Sequence, residues 1–458
     1  MMRPTDTERT TVVREVLRLT GPAVLTSFLQ TLVFLVDRIL LGRYSEAALA
    51  SMQVQGPLLW SLWGIFTGLL VGTVPLVARS VGARDLSRAR DVARAALLLA
   101  FVLGLGVSLS CGVLARPIVG VLGPDSAELR ALSERYVVIA LAGFPQMFVA
   151  TTAAFVLHGT GNTRTPFVVG LLSNGVNVAA SALLVFGLSW GPFHVPSLGV
   201  SGAAIGSALA FTVEAVLLLR ALRDPSGTLG LVPLFQSGGP AARRDLLRVS
   251  TPALFERVVI HVGYLAYASV INSLGPVVMA ANQALITLES ICFLSADGFG
   301  VAAATVVGQA LGRKDPRQAR FGALVATGFA ISALTTLGLA IWGSSSVTLG
   351  LFVPRGADGS ALVAEAHSAL PWLALSQPFM AIGVVLAQSL RGAGDTRSPV
   401  VAAVVGGFAV RVGLAWWLGA QLGLGVRAVW IASAVDWMVR TVWLSGVFLA
   451  GRWTRLEI

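Results

Sequence analysis

Twelve long apolar stretches, separated by short charged segments, dominate this sequence of 458 residues. A helix that crosses a bilayer needs about 20 mostly apolar residues. Only 12% of the residues are charged, whereas soluble globular proteins carry roughly 25%. We therefore predict an all-α integral membrane protein with twelve transmembrane helices. The predicted spans are residues 16–41, 52–78, 93–122, 134–157, 166–190, 199–222, 247–273, 279–310, 321–345, 366–390, 399–422 and 427–450.

Lysine and arginine are concentrated in alternate loops between these spans. If the N-terminus is inside, 23 of the 33 basic residues lie in inner segments, seven lie on the outer side and three lie within spans. Basic residues accumulate on the cytoplasmic side of membrane proteins. We expect both termini in the cytoplasm of a multi-pass protein of the bacterial cytoplasmic (inner) membrane, surrounded by membrane lipids. Because this bias accounts for the net charge of +11, the charge does not indicate nucleic acid binding.

No metal or cofactor site is predicted. Cys111 and Cys292 both lie in apolar runs, without the spacing of a metal or redox site. The loops near the membrane surface lack the clustered histidine and carboxylate residues that a membrane-embedded transferase needs. An enzyme is therefore the least favoured class of function.

Three short motifs occur twice along the chain, which indicates a duplicated design. The pairs are Leu17–Ala23 with Leu247–Ala253, Gly82–Asp85 with Gly312–Asp315, and His158–Pro166 with Arg391–Pro399, at offsets of 230, 230 and 233 residues. Because equivalent spans lie six apart, the two halves enter the membrane in the same direction. We predict an N-terminal six-helix lobe at 1–223, a cytoplasmic linker at 224–246 and a C-terminal six-helix lobe at 247–458. The glycine-rich third motif is interpreted as a tight turn; a phosphate-binding loop is the alternative, although its lysine ending is missing.

Asp37 is the first of nine charged residues predicted inside the spans. A charge at the centre of a bilayer costs about 3 kcal/mol or more, so each needs a partner or a function. Gln30 lies two helical turns before Asp37, and Pro22 can kink or unwind the same helix. An inward carboxylate on such a helix suits a proton-controlled switch. The alternative is a carboxylate that pairs with Arg38 or ends the helix at the interface.

The fifth span carries a polar face formed by Asn174, Asn177 and Ser181, at positions i, i+3 and i+7. This face is a candidate to hydrogen-bond Asp37 or a cation. Hydrogen bonding between helices without transport chemistry is the alternative.

The paired turns, the Gly-Ala-Arg-Asp loop after the second span and Asp37 within Leu-Val-Phe-Leu-Val-Asp-Arg resemble the MATE family of multidrug and toxic compound extrusion transporters. The resemblance implies two pseudo-symmetric six-helix bundles that form a V around a central cavity. It also implies export of small organic cations or amphipathic drugs in exchange for protons or sodium ions. The coupling aspartate of the family corresponds to Asp37, and its proline and glutamine correspond to Pro22 and Gln30.

The chain departs from the family pattern at several positions. Ser181 stands where many relatives have an aspartate, which puts a two-carboxylate site beside Asp37 in doubt. Glu256 matches a glutamate of NorM-type relatives, but Ser376 and Met380 replace the tyrosine and aspartate of their tenth span. The DinF-like branch is therefore the better match.

A substrate or second cation site in the C-terminal half is a further hypothesis. Glu256, Tyr264 and Tyr267 lie roughly on one face of the seventh span, and Glu289 and Asp297 lie close to one face of the eighth. For Glu256 the structural alternative is pairing with Arg257 and His261, and for the tyrosines it is aromatic packing. The other charges within spans are interpreted as structural: Asp436 pairs with Arg440 and Arg411, and Glu214 lies near a helix end.

We expect a monomeric secondary active exporter that works by alternating access, with Asp37 as the coupling carboxylate. A flippase for a lipid-linked oligosaccharide or other lipid, from the same superfamily, is the alternative. Such proteins tend to have extra spans or a cationic cavity, whereas the candidate residues here are mostly acidic. The sequence leaves the choice between protons and sodium ions open.

Overall fold

The computed structural model describes residues 6–122, 126–190, 193–352 and 359–456. The chain is almost entirely helical within these ranges. The sheet found there is a two-stranded hairpin, in which β1 (Leu188–Trp190) pairs antiparallel with β2 (Phe193–Val195). The predicted all-α fold is therefore confirmed, with this hairpin at the end of the predicted fifth span as a small exception.

Among the described residues, nine helices lie before the linker, and three of the predicted spans, 52–78, 93–122 and 134–157, consist of two helices each. A 3₁₀ turn at Thr67–Leu70 joins the second helix to the third, and a bend of 48° at Gly143 separates the sixth from the seventh. The helices are α1 Asp6–Tyr44, α2 Glu46–Phe66, α3 Thr73–Gly82, α4 Leu86–Val113, α5 Ala115–Leu122, α6 Ala127–Ala142, α7 Phe144–Thr160, α8 Arg164–Phe186 and α9 Val200–Arg223.

Eight further helices lie in the described part of the chain from Pro240 onward. They are α10 Pro240–Ser273, α11 Pro276–Gly312, α12 Pro316–Gly343, α13 Ser345–Thr348, α14 Ser360–Gly392, α15 Arg397–Ala402, α16 Arg411–Trp416 and α17 Gly425–Ala450. Two π-helical stretches, Ala403–Val410 and Trp417–Gln421, continue α15 and α16 into one long segment. Because α10 begins at Pro240, the last part of the predicted linker 224–246 is helical rather than irregular.

Nine helical segments of the described chain are long and apolar enough to cross a membrane, and the bent pair α6 and α7 makes ten. With α1 and α17, twelve helical segments stand at the twelve predicted positions. Helix α17 contains Arg427, Asp436 and Arg440 and is not among the nine segments.

The Gly-x-x-Asp repeat forms the same turn in both halves. Arg84 and Lys314 adopt left-handed φ angles of 60° and 59°. The next residue, Asp85 or Asp315, caps α4 or α12 by accepting the backbone N–H three residues later, at 3.0 and 2.9 Å. The N–H of Arg88 holds the pKa of the Asp85 carboxyl below its ordinary value. This cap therefore stabilises the fold at neutral pH, and its contribution is lost as the pH falls through the lowered pKa.

The second pair of turns is equally similar. Gly161 and Gly394 have φ angles of 86° and 93°, a region that favours glycine. The side chains of Asn162 and Asp395, one residue later, each accept a backbone N–H three residues on at 3.0 Å. These oxygens close the turn, in agreement with the interpretation of this motif as a tight turn.

The described residues fall into two compact units. The N-unit is Leu25–Arg248, and the C-unit combines the chain up to Val24 with Val249–Ile458. The boundary between the units after Arg248 lies close to the end of the predicted linker at residue 246. The change after Val24 has no counterpart in the predicted lobes: Val12 and Val16, in the first part of α1, pack into a hydrophobic core of the C-unit.

Arginines of α4 hold the linker to the N-unit. Arg90 Nε donates to the carbonyl oxygen of Leu229 at 2.7 Å, and Arg94 Nη2 donates to that of Val232 at 2.9 Å. The same arginines belong to the basic excess of the predicted inner loops. They therefore have a structural function in addition to any effect on topology.

Close contact between α8 and α9 is the packing feature that positions the candidate site. A Cβ atom on Gly202 would lie 2.7 Å from the backbone nitrogen of Val185, and one on Gly206 would lie 2.7 Å from that of Ser181. Real Cβ atoms do not come this near to a neighbouring backbone. The two glycines thus allow the helix backbones to approach closely, as small residues do at helix interfaces in membranes.

We expect Gly202→Ala to destabilise the protein by about 2 kcal/mol, because its methyl group would push α8 away from α9. Gly175→Ala is the matched control, since an added Cβ there meets nothing within 4 Å, and it should be neutral or stabilise by up to about 1 kcal/mol. Thermal unfolding of the two purified variants in detergent measures the difference. Equal midpoints would contradict the packing argument.

Candidate cation-coupling site

Asp37 on α1 is fully buried in the N-unit. Its Oδ2 accepts hydrogen bonds from the hydroxyls of Tyr136 on α6, at 2.7 Å, and Ser207 on α9, at 2.8 Å. Its Oδ1 accepts a longer hydrogen bond, 3.4 Å, from the hydroxyl of Ser181 on α8. Buried polar groups need such partners in place of water. Three hydroxyl groups from three other helices therefore solvate this carboxylate.

Asn177 forms a second layer around the carboxylate. Its Nδ2 donates to the hydroxyl oxygens of Ser181, at 3.3 Å, and Ser207, at 3.0 Å. Its Oδ1 is buried and has no hydrogen-bond partner in the part of the chain that the structure describes. The amide oxygen and the carboxylate are the oxygen ligands that hard cations prefer. The cluster therefore combines acceptors for a proton with ligands for a metal cation.

Arg38 does not neutralise its neighbour Asp37. Among the described residues no ion pair includes Asp37, and the exposed side chain of Arg38 lies beside Gly56 instead. Helix α1 also continues to Tyr44, so Asp37 does not end it. The alternative interpretations of Asp37, as a paired or helix-terminal carboxylate, are wrong. A proton or cation can thus reach Asp37 without an ion pair being broken.

The other two predicted residues of α1 are less informative. The helix is continuous through Pro22, and the change from C-unit to N-unit follows two residues later, after Val24. A kink at Pro22 therefore stays a prediction for another conformational state. The side chain of Gln30 lies outside the described residues.

Asn174 is separate from the Asp37 cluster, although the predicted face of α8 places Asn177 and Ser181 correctly. Its Nδ2 donates to the carbonyl oxygen of Gly170 on its own helix at 2.9 Å. Its buried Oδ1 has no hydrogen-bond partner among the described residues. Asn174 lines a pocket together with Glu214 of α9, so the polar face of α8 leads from one acidic residue to another.

Two adjoining pockets of the N-unit lie between the hydroxyl donors of Asp37 and Glu214. The first, here called the Asp37 pocket, is lined by the Asp37 donors on α6 and α9 and by Met147 and Phe211. The second, the Glu214 pocket, shares Met147 and Phe211 and is also lined by Trp60, Trp63 and Glu214. The shared side chains form a boundary between the two pockets.

In the C-unit, Glu256 is buried in an ion pair. Arg391 Nη2 lies 2.5 Å from Glu256 Oε1, and Arg391 belongs to the second glycine-rich repeat. The sequence suggested Arg257 and His261 as partners of Glu256. His261 Nδ1 instead contacts the carbonyl oxygen of Arg257 at 2.8 Å, because residues four apart on a helix face each other.

Tyr267 and Tyr264 have different surroundings, and a cavity shared with Glu256 stays a prediction for Tyr264. That side chain is 57% exposed, whereas Tyr267 is buried and donates to the carbonyl oxygen of Val429 at 2.7 Å. Eight residues along a helix rotate a side chain by about 80°, so Tyr264 turns away from the face of Glu256.

Glu289 and Asp297 do not form a shared cation site. Asp297 Oδ1 accepts a hydrogen bond from Gln388 Nε2 at 3.2 Å. Glu289 Oε1 is buried and has no hydrogen-bond partner within the described ranges. The same rotation of about 80° over eight residues separates the two carboxylates.

Asp436 has the structural role that the sequence predicted. It is fully buried between two arginines, with Arg411 Nε at 2.8 Å and Arg440 Nε at 2.6 Å from its oxygens. The guanidinium of Arg440 lies 4.7 Å from the ring centroid of Trp437, a cation–π distance. These charges of the C-unit satisfy each other.

Sequence reasoning missed three residues of the N-unit. Tyr136, one of four tyrosines in the chain, begins the predicted fourth span, and its scarcity was a usable signal. Ser207 follows the glycines of α9 at a position where helices approach. Glu214 was assigned to a helix end, but α9 extends to Arg223, and Glu214 lines a pocket.

The sequence pattern of the MatE family matches residues 22–183 and again residues 252–417. The two matches begin 230 residues apart, which is the offset of the internal repeats, and they cover most of the chain. The chain belongs to the MATE family. The MATE proteins are membrane transporters and not enzymes. The family resemblance and the exclusion of an enzyme are both confirmed.

Curated relatives share most of this MATE chain. Proteins described as "Probable multidrug resistance protein NorM" from Thermotoga maritima, Bradyrhizobium diazoefficiens and Deinococcus radiodurans are 25%, 29% and 29% identical to it. The alignments cover 97%, 93% and 98% of this chain and 94%, 90% and 97% of the relatives. Assignment to the DinF-like branch stays a prediction.

Solved MATE structures have the same fold. A MATE protein in the straight conformation matches with a TM-score of 0.84 and 22% identity, over 98% of both chains. An outward-facing multidrug resistance MATE transporter matches with a TM-score of 0.86 and 21% identity, also over 98% of both chains. A transporter from Pyrococcus furiosus, described as having a binding pocket of reverse polarity, matches with a TM-score of 0.83 and 22% identity over 98% of both chains. The predicted twelve-helix MATE fold is therefore confirmed.

We expect Asp436→Asn to destabilise this MATE protein by about 3 kcal/mol, because two partly buried arginines would lose their shared, fully buried counter-charge. Arg116→Gln is the control, since its ion pair with Glu134 is solvent-exposed and should matter little. Thermal unfolding in detergent compares the variants. If Asp436→Asn unfolds with the wild-type midpoint, the cluster is not structural.

Proposed function

We propose that this MATE protein is a secondary active multidrug exporter in which Asp37 is the coupling carboxylate. It exchanges small organic cations or amphipathic drugs for protons or sodium ions by alternating access. The basic loops support a bacterial cytoplasmic membrane protein with both termini in the cytoplasm, and we propose that it acts as a monomer. The arrangement of Asp37, a buried carboxylate with hydroxyl donors and no ion pair among the described residues, carries the proposal.

Proton coupling is supported by the ability of the hydroxyl donors around Asp37 to change their hydrogen-bond acceptors. An ionised Asp37 accepts all three hydroxyl hydrogen bonds. When the carboxyl is protonated it becomes a donor, so one hydroxyl must turn to another acceptor. Ser181 has one available, because its Oγ is also 3.5 Å from the carbonyl oxygen of Ala203. Both protonation states of Asp37 therefore keep a satisfied network.

Sodium coupling uses the same atoms. Asn177 Oδ1 and the carboxylate oxygens of Asp37 are oxygen ligands, and the hydroxyls of Ser181 and Ser207 can turn their lone pairs to a cation. A bound cation would neutralise the carboxylate, as a proton does. Either ion thus removes the charge of the N-unit core, and only one of them can do so at a time.

The proposed substrate class, drug-sized organic compounds, is supported by the descriptions of the relatives and by the lining of the two pockets. Three relatives are described as multidrug resistance proteins. The pockets beside Asp37 are lined largely by aromatic and aliphatic side chains such as Phe211 and Met147. Apolar pockets with a few polar groups are typical of sites for drug-sized molecules.

We expect Asp37→Asn to abolish ion-driven efflux of a fluorescent organic cation from proteoliposomes, because asparagine has no charge for a proton or sodium ion to neutralise. The near-isosteric amide should leave insertion and folding intact. Efflux is measured with a pH gradient and a sodium gradient imposed separately, which also identifies the coupling ion. Asp91→Asn, a partly exposed aspartate paired with Arg94, is the matched control.

Unchanged gradient-driven efflux by Asp37→Asn would remove Asp37 from the mechanism. The flippase alternative is tested in the same vesicles with a fluorescent lipid-linked oligosaccharide. If the wild type moves this lipid and ignores organic cations, the multidrug proposal is wrong.

A further inference from the structure

We propose that the Glu214 pocket is a binding subsite for the positively charged nitrogen of an organic substrate, with Glu214 as the residue that selects for cations. The inference rests on the proposed function and extends it by naming the chemical group that is recognised. Glu214 lies outside the residues 22–183 and 252–417 that the family pattern matches.

The lining of the pocket matches the chemistry of an organic ammonium ion. Trp60 and Trp63, on α2, have ring centroids 5.0 Å apart, and Phe211 adds a third aromatic ring to the lining. Aromatic rings attract a cation through their negative faces, and the attraction reaches about 2 kcal/mol when the site is desolvated. Glu214 supplies a carboxylate in the same pocket.

The unpartnered oxygen of Asn174 is a second, independent indication of a ligand. Asn174 is 6% exposed and lines the pocket, and its Oδ1 accepts no hydrogen bond from the described residues. A buried acceptor left without a donor costs about 1 to 3 kcal/mol. The positive charge of an organic ammonium ion beside Glu214 would compensate this oxygen, through an N–H donor where the nitrogen carries one and through ion–dipole attraction where, as in tetraethylammonium, it carries none.

The position of the pocket explains how a bound substrate can affect Asp37. Ser207, Phe211 and Glu214 lie at i, i+4 and i+7 on one face of α9. The distance along the helix axis from Ser207 to Glu214 is about 10 Å. Ser207 donates to Asp37, and Phe211 lines both pockets. On α8, Ser181 lies beside Asp37 and Asn174 lines the Glu214 pocket, so the polar face of α8 runs in the same direction. Asp37 and Glu214 therefore lie at the two ends of one path of polar and aromatic side chains in the N-unit.

Ser181 stands where many relatives have a second aspartate, and we infer that Glu214 supplies the second carboxylate in this protein. Instead of two carboxylates side by side, one is placed beside the hydroxyl cluster and the other beside the tryptophans. We infer a division of function in which Asp37 takes the inorganic ion and Glu214 takes the organic cation. Binding of the inorganic ion at Asp37 and binding of the organic cation at Glu214 then oppose each other, because Met147 and Phe211 line both pockets.

The test measures equilibrium binding of radiolabelled tetraethylammonium, which has no titratable proton, to the purified full-length protein in detergent. We expect Glu214→Gln to weaken binding roughly tenfold or more, because the counter-charge is lost. Glu214→Asp should retain part of the affinity. Binding of an uncharged amphipathic dye should change less than about twofold, since aromatic contacts remain. Glu128→Gln, an exposed glutamate on α6, is the matched control.

A second variant covers the case in which Glu214→Gln fails to fold. Trp60→Leu removes one ring from a side chain that is 42% exposed, and we expect it to weaken tetraethylammonium binding about threefold or more. Trp416→Leu, 51% exposed on α16, should bind as the wild type does. Wild-type affinity of a folded Glu214→Gln variant, or of Trp60→Leu if Glu214→Gln does not fold, would overturn the inference.

Gradient-driven efflux measured in parallel separates this inference from the proposed function. If the wild type exports organic cations but the Glu214→Gln variant binds them with unchanged affinity, only the subsite is wrong. If the wild type neither binds nor exports organic cations, both proposals fail.

Discussion

The close approach of α8 and α9 is the constraint on which the N-unit depends. Without side chains at Gly202 and Gly206, the two helix backbones come near enough for Ser181 and Ser207 to reach one carboxylate. Tyr136 completes the set from α6. A buried Asp37 is tolerated because this packing delivers hydroxyl donors to it. The ionic chemistry of the site therefore depends on the close packing of α8 and α9.

The two units treat their buried charges differently. In the C-unit, Asp436 is held between two arginines, and Glu256 is held by Arg391. Such ion pairs fix a structure, because removing one partner leaves an uncompensated charge. In the N-unit, Asp37 has only uncharged hydrogen-bond donors within the described residues, so its charge can change without breaking an ion pair. Glu289 of the C-unit has no ion pair among the described residues either, but its buried Oε1 lacks the hydroxyl donors that surround Asp37. The hydroxyl donors together with the missing ion pair are the physical reason for proposing Asp37 as the coupling residue.

Much of the fold was predictable from the sequence. Helix length and loop charge located the twelve segments, and the repeats located the turns at Asp85 and Asp315, because these features depend on residues close together in the chain. Helical periodicity also identified the face of Asn177 and Ser181 correctly. Each of these inferences needs only one helix or one turn.

The remaining features depend on which helices become neighbours. The donors Tyr136 and Ser207 lie 99 and 170 residues from Asp37, and no local pattern predicts these contacts. Arg391 reaches Glu256 across 135 residues, which displaced the nearer candidates Arg257 and His261. The sequence predicts the end of α9 to within one residue, at 222 against Arg223. It does not show which helices pack around Glu214, so this pocket residue is interpreted from the sequence as an interfacial one.

The release of an inorganic ion by an organic cation tests the coupling claim most directly. Saturating tetraethylammonium is added to the wild-type protein in weakly buffered detergent solution, and released protons are measured with a pH-sensitive dye. In a parallel sample, displacement of bound radioactive sodium is measured. We expect one of the two ions to be released, with a yield near one per transporter that saturates with the organic cation. Saturable binding of the organic cation without release of either ion would contradict competition for the charge of the N-unit.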